Sequence, residues 1–173
     1  ASFLSGKLET KISIQKLRAN LKLDINLKNV VIHDQRDSIL FEAKEIQANI
    51  LKISRKNRVI MFRKIEIDQC YFALRKYEDD SVNNLKFLTD YFKSDDTLKV
   101  KKKWRLGCAA IYLSDSRFIL DDRHKHKIKA KDSGIDFTNL DVDSINMKVA
   151  DFLLLEDTVF ANIRAISLVE RSG

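Results

Sequence analysis

Three histidines and several paired carboxylates are the residues of this chain best suited to chemistry. His33 stands beside Asp34. His124 and His126 are spaced two apart, so on a strand both imidazoles point the same way and could share a metal ion. No third ligand follows at a recognisable spacing, and both sit in the charged stretch Asp121 to Lys127, which reads as a solvated hairpin. The pairs Asp79 and Asp80, Asp95 and Asp96, and Asp121 and Asp122 fall where turns are expected, and turns favour Asp for its bonds to nearby backbone. Adjacent carboxylates do not flank a cleft as an acid and a base must. The chain has no glycine-rich phosphate loop, no G-x-S-x-G, no H-E-x-x-H and no C-x-x-C. No enzyme, cofactor or metal site is expected. Cys70 shares parity with Phe72 and Leu74, whereas Cys108 is out of phase with Ile111 and Leu113, so simple alternation puts the thiols on opposite faces. Two free, mostly buried cysteines are expected, not a disulfide.

What the sequence does repeat is an apolar spacing, at offsets zero, two, five, seven and nine. It occurs as Ile25, Leu27, Val30, Ile32, Asp34; as Ile65, Ile67, Cys70, Phe72, Leu74; and as Ile111, Leu113, Ser116, Phe118, Leu120. Period-two alternation marks a strand with one apolar and one wet face. The jump from odd to even positions predicts one extra residue that re-aims the remainder, as a bulge does. The starts lie 40 and then 46 residues apart, a range typical of repeated architectures. A fourth, weaker copy runs through Ala161, Ile163, Ile166 and Leu168. Repeated half-apolar strands extend one surface and do not build a single pocket.

Composition agrees with this. Of 173 residues, 45% are hydrophobic and 33% charged, too apolar for disorder and ordinary for a sheet with a solvated face. The absence of proline and the presence of only 4 glycines fit long strands paired on both sides. The net charge of +7 is spread mostly as single cations between apolar residues, the furnishing of a strand's wet side. The densest run is Lys99 to Arg105 around Trp104. It suits lipid headgroups, nucleic acid or a plain loop, and no RNA-binding aromatic signature, zinc finger or helix-turn-helix accompanies it, so no nucleic-acid partner is expected. No stretch has the roughly 18 consecutive apolar residues of a membrane span.

Strands are expected over Leu8 to Leu17, from Leu21 into the first kinked unit, over Ile39 to Ile53 with Ala43, Ile46, Ala48 and Ile50 inward, through the second and third units, and from Ile128 to Leu154. The period changes once. Asn83 or Asn84 can cap a helix, and Leu85, Leu88, Tyr91 and Phe92 then share one helical face, which predicts a short helix from Leu85 to Phe92 packed on the sheet. Residues 94–103 read as a mobile linker.

In this order the motifs resemble the AsmA-like superfamily and, within it, the TamB-type translocation and assembly proteins of the Gram-negative envelope. The likeness is carried by Leu27 to Asp34 running into a turn and a strand with Ala43 and Ile46. It continues with Ile65 to Asp68, Tyr71 to Leu74, and the "N L x F L" of Asn84 to Leu88. Ile111 to Leu113, Phe118 to Asp122, and Ile166 to Gly173 complete it. The resemblance implies one periplasmic segment, spanning residues 1–173, of a longer protein anchored in the inner membrane. It further implies a repeated β-groove that carries phospholipid acyl chains toward the outer membrane or serves outer-membrane biogenesis. The competing expectation is a protein-interaction module that assists assembly of outer-membrane β-barrel proteins by strand addition.

The fold expected is therefore mainly β: an antiparallel, curved or U-shaped β-groove with one short α-helix. Its expected lining is Leu23, Ile25, Leu27, Ile32, Ile65, Ile67, Phe72, Leu74, Ile111, Leu113, Phe118 and Leu120.

Overall fold

A computed structural model describes residues 10–21, 23–87, 90, 104–125, 136–155 and 158–171. The alternating stretches form seven strands: β1 (Ile12–Ala19), β2 (Asp24–His33), β3 (Ile39–Ser54), β4 (Val59–Lys76), β5 (Arg105–Asp122), β6 (Asn139–Leu155) and β7 (Thr158–Glu170). They make one sheet in sequence order, with β1 and β7 at its edges. Among the described residues each strand touches only its neighbours, so the sheet does not close and no second layer of strands covers it.

Five of the strand pairings are antiparallel, and β4 and β5 run parallel. Chain connectivity explains the difference. Between the first and second units lies β3, a return strand joined by short turns on either side. Between the second and third units, residues 77–104 cross back to the starting end, as a parallel pair requires. The unequal spacing of the repeats is the trace of that crossover. Within it Lys86, Phe87 and Asp90 are helical and Leu85 is in the preceding turn; Leu88, Thr89, Tyr91 and Phe92 of the expected helix, the expected linker 94–103 and His126 lie outside the described residues.

The expected kink is present. Asn29 (φ 49°), Gln69 (φ 47°) and Asp115 (φ 45°) each sit at offset four of their unit, in the left-handed region. Asn and Asp tolerate that region because their short side chains bond locally; Gln does so at a cost. Ser144 in β6 matches them with φ 52°. No residue is inserted relative to the neighbours on either side of β3, because Lys28 pairs with Glu45 and Val30 with Ala43, while Ala43 pairs with Cys70 and Glu45 with Asp68. From β2 to β5 the expected extra residue is therefore absent at the crease, whereas between β5 and β6 it is present: Leu113 and Ser116 are three apart while their partners Met147 and Ile145 are two apart, and β6 takes the compensating extra residue between Ile145 and Val142. Neighbouring strands bend at the same level, so a crease crosses the sheet, in register from β2 to β5 and with register shifts between β5 and β6 and between β6 and β7.

One end of the sheet is fastened by a buried carboxylate. Asp34, at the β2–β3 turn, accepts hydrogen bonds from the Tyr77 hydroxyl at 2.7 Å, from Asn84 Nδ2 at 2.9 Å, and from the Arg36 and Ser38 amides at 3.0 Å each. Asn84 also replaces a strand neighbour for the end of β4, donating its amide to the Arg75 carbonyl at 2.7 Å and accepting from the Arg75 amide at 2.8 Å. Arg36 and Arg123 lie on the Tyr77 ring at 4.6 and 5.0 Å. Burial raises the Asp34 pKa, but the bonds from Asn84, Tyr77, Ser38 and Arg36 outweigh it and hold the group below 3.8.

Candidate functional site: an apolar face that crosses every strand

The register aligns the three repeats row by row. Offset zero forms a row that crosses all seven strands: Ala19, Ile25, Ala48, Ile65, Ile111, Val149 and Ile163. Offset two does the same with Leu17, Leu27, Ile46, Ile67, Leu113, Met147 and Ile166. Offset seven continues through Ile12, Ile32, Phe41, Phe72, Phe118 and Val142, and ends on Glu170 of β7. Within it the Phe72 and Phe118 rings stack with centroids 5.8 Å apart. Offset nine joins Leu74, Leu120 and Leu140. In the first unit that offset is Asp34, which has become the fastening group of the sheet's end.

The crease row, offset five, holds small residues. Val30, Ala43, Cys70, Ser116 and Ile145 are all buried. The Cys70 amide donates to Ser116 Oγ at 3.1 Å, and that hydroxyl donates to the Ser114 carbonyl at 2.9 Å, so the one hydroxyl in the row is used internally. Burial pushes the Cys70 thiol up to about 11 and raises that of Cys108, which keeps both protonated and unreactive at neutral pH.

Beyond offset zero the face continues. Ile50, Phe62, Cys108 and Phe152 form another row, and Ile53, Ile60, Leu106, Leu154 and Val159 the last. Cys108 therefore belongs to the apolar face, and its apparent phase error comes from a second three-residue step, from Ile111 back to Cys108. Gly107, one residue away, has Met61 and Leu153 as its neighbours, so that trio occupies the opposite face. Both cysteines are free.

The other residues expected to line the groove fall on these rows; Leu23 does not. It lies in the β1–β2 turn, exposed, with φ 61°, and its carbonyl accepts from the Ile50 amide at 3.1 Å. The fourth repeat is also out of step, because Ile163 and Ile166 sit in the offset-zero and offset-two rows and not across the crease. The contributions of Phe41, Phe62, Met147 and Phe152 were not singled out as lining. Their alternation in β3, β4 and β6 was the available signal.

Most of this face is half-buried: Ile25, Leu27, Ile46, Ile65, Ile67, Ile111 and Leu113 are neither enclosed nor fully open. In a sandwich the same positions would be sealed by a second sheet. At mid-sheet the reverse face is polar and its groups largely pair with one another, although Asn26 Oδ1 is buried without a partner among the described residues. Asn26 and Gln47 donate to Glu45, Lys28 and Lys64 pair with Glu45 and Glu66, and Ser114 donates to Asp68 at 3.0 Å. A 250 Å³ dent there is lined by Glu45, Gln47, Glu66, Asp68, Tyr112 and Ser114, with Ile67. At the fastened end a 360 Å³ cavity lies between Leu74 and Leu120 on one side and Ser81, Val82, Asn83 and Lys86 on the other.

The histidines serve turns. His33 Nδ1 is 3.0 Å from the Asp37 carbonyl, and His124 Nε2 is 2.8 Å from that of Asp80. Asp79 and Asp80 pair with Arg36, and Asp121 with Arg123. Among the described residues no group of three potential ligands is placed to hold a metal, and no helix is long and apolar enough to cross a membrane.

No protein-family model matches this chain, and no curated sequence matches it.

Proposed function

We propose that the chain is a segment of a hydrophobic conduit for phospholipid in the bacterial envelope, a periplasmic part of an inner-membrane-anchored protein serving lipid traffic to the outer membrane or outer-membrane biogenesis. The single observation that carries this reading is the continuity of the apolar rows from β1 to β7 on a sheet that, among the described residues, no second layer of strands covers. Six strand spacings of about 4.8 Å make the face about 29 Å across, and β4 is longer still, ample for an acyl chain. Each methylene taken from water onto such a face contributes about 0.8 kcal/mol without directional contacts. Lipid tails are therefore held and are free to slide. The reading needs no catalytic group, cofactor or metal.

Native mass spectrometry of the purified chain tests it. Co-purified phospholipid that is displaced by detergent and rebinds supports the conduit; a chain that stays lipid-free when mixed with phospholipid vesicles contradicts it.

A second reading is favoured by β7, which presents 13 residues as an open edge with Val159, Phe160, Ile163, Ile166, Leu168 and Val169 exposed. Such an edge accepts another strand through its unpaired backbone groups. Delipidated chain that captures a β-barrel precursor as an added strand, and carries no lipid, supports this module instead.

A further inference from the structure

The two ends of the sheet differ in how their charges are balanced and in their exposed apolar residues. At the fastened end the turns mix Asp34, Asp37, Glu78, Asp79, Asp80, Asp121 and Asp122 with Arg36, Arg123 and Lys125, and several of these pair with one another. At the other end the β3–β4 hairpin and the start of β5 carry Lys52, Arg55, Lys56, Arg58 and Arg105. From Glu45 to Glu66 the chain contains no carboxylate at all. Lys52, Arg55, Lys56 and Arg105 make no ion pair among the described residues, in contrast to Arg36, Arg117 and Arg123. The Arg105 amide bonds to the Arg58 carbonyl at 2.8 Å, which holds the hairpin tip beside the start of β5. Among the described residues the carboxylate at this end is Asp24, held by Asn20 and Asn49; Glu156 and Asp157, which follow β6 in sequence, lie outside them.

The same end concentrates exposed apolar side chains. Leu21 in the β1–β2 turn is fully exposed, Leu51 and Ile53 project near the hairpin, and Trp104, 43% exposed, precedes Arg105. Among the described residues of the turns at the fastened end, the exposed large apolar ones are Val82 and Phe137. Cations interleaved with exposed aliphatic residues and an indole are what an anionic bilayer surface binds: headgroups take the guanidinium and ammonium groups, and the interface takes Trp and Leu. A nucleic acid would use the charge and leave Leu21, Leu51 and Ile53 in water.

We propose that this end of the sheet, the β3–β4 hairpin with Trp104, Arg105 and the β1–β2 turn, docks onto an anionic phospholipid surface. The strands then stand away from the membrane, with the fastened end pointing off it, about 56 Å along β4. The docking does not rest on the conduit reading, because the contact is made by the strand ends, where only Ile53 of the last apolar row takes part.

Trp104 is the only tryptophan, so its emission reports the contact directly. Vesicles of phosphatidylcholine with about one-third phosphatidylglycerol are titrated against vesicles of phosphatidylcholine alone. The expected result is a blue shift with the anionic vesicles only, weakening as salt is raised. Each cation near the surface is worth about a five-fold gain in affinity, so Arg55→Glu with Lys56→Glu weakens binding at least about thirty-fold. The charge-matched pair Lys44→Glu with Lys125→Glu, away from this end, leaves it unchanged. Phe72→Asp, which alters the apolar rows, also leaves docking intact even where it abolishes lipid carriage. Equal binding to neutral vesicles, equal loss in both charge pairs, or a Trp104 shift with duplex DNA that vesicles fail to produce, would overturn the proposal.

Discussion

Phe72 and Phe118, 46 residues apart in sequence, stack across the parallel β4–β5 pair with ring centroids 5.8 Å apart, at the same offset of two successive repeats. Equivalent positions in the repeat have become neighbours in space. The apolar face is built from such coincidences, repeated row by row.

Because both rings are half-buried and no second layer of strands among the described residues covers the face, a charge there is tolerated by the fold and not by a lipid tail. Phe72→Asp or Phe118→Asp should lower unfolding stability by about 1–3 kcal/mol, including the stacking contribution, and leave the far-ultraviolet dichroism intact. Phospholipid bound per chain should fall several-fold. Equal collapse of fold and lipid binding would indicate a sealed core.

The crease depends on left-handed backbone at Asn29, Gln69 and Asp115. Gln69→Gly should be neutral or stabilising in urea melts, since glycine adopts φ above zero without steric cost. Gln69→Val should cost about 1–2 kcal/mol, because a β-branched residue is penalised there. Val matching Gly in the melts would mean that the crease is not left-handed.

Asp34 ties the β2–β3 turn to the crossover. Its folded pKa lies below the unfolded 3.8, so its contribution is complete above that pH and is lost as pH falls through the folded value. Asp34→Asn should cost about 1–3 kcal/mol at pH 7. The gap between variant and parent should narrow in acid melts below about pH 4; a constant gap would mean that the carboxylate charge is irrelevant.

Cys70 and Cys108 should resist a thiol reagent at pH 7.5 in the folded chain and react at once in denaturant. Burial raises both pKa values and sets Cys70 at about 11. Rapid labelling of the native chain would show that the crease row is open to water.

Much of this was legible in the sequence, because the apolar offsets are a direct record of which residues share a face. The kink at offset four was also legible, since a parity jump needs a backbone device to keep one face apolar. The direction of β5 was not: residues 77–104 fix it, and turn-rich polar sequence does not say whether a chain reverses or crosses back. Nor was the Asp34, Tyr77 and Asn84 fastening, since each of those residues reads locally as a turn former and their meeting depends on tertiary placement. Cys108 was misassigned in phase because the second step, between Ile111 and Cys108, lies outside the repeat. Leu23 kept the alternation in sequence but fell in a turn, where alternation has no meaning.

The central claim is that lipid meets one face of the sheet and not the other. Photoactivatable benzoylphenylalanine placed at Ile67 or Phe72 on the apolar face, and at Glu66 or Tyr112 on the polar one, tests this in the presence of phospholipid. Crosslinks to phospholipid from Ile67 and Phe72, with none from Glu66 and Tyr112, are predicted. Crosslinks of equal yield from both faces, or from neither, would contradict it.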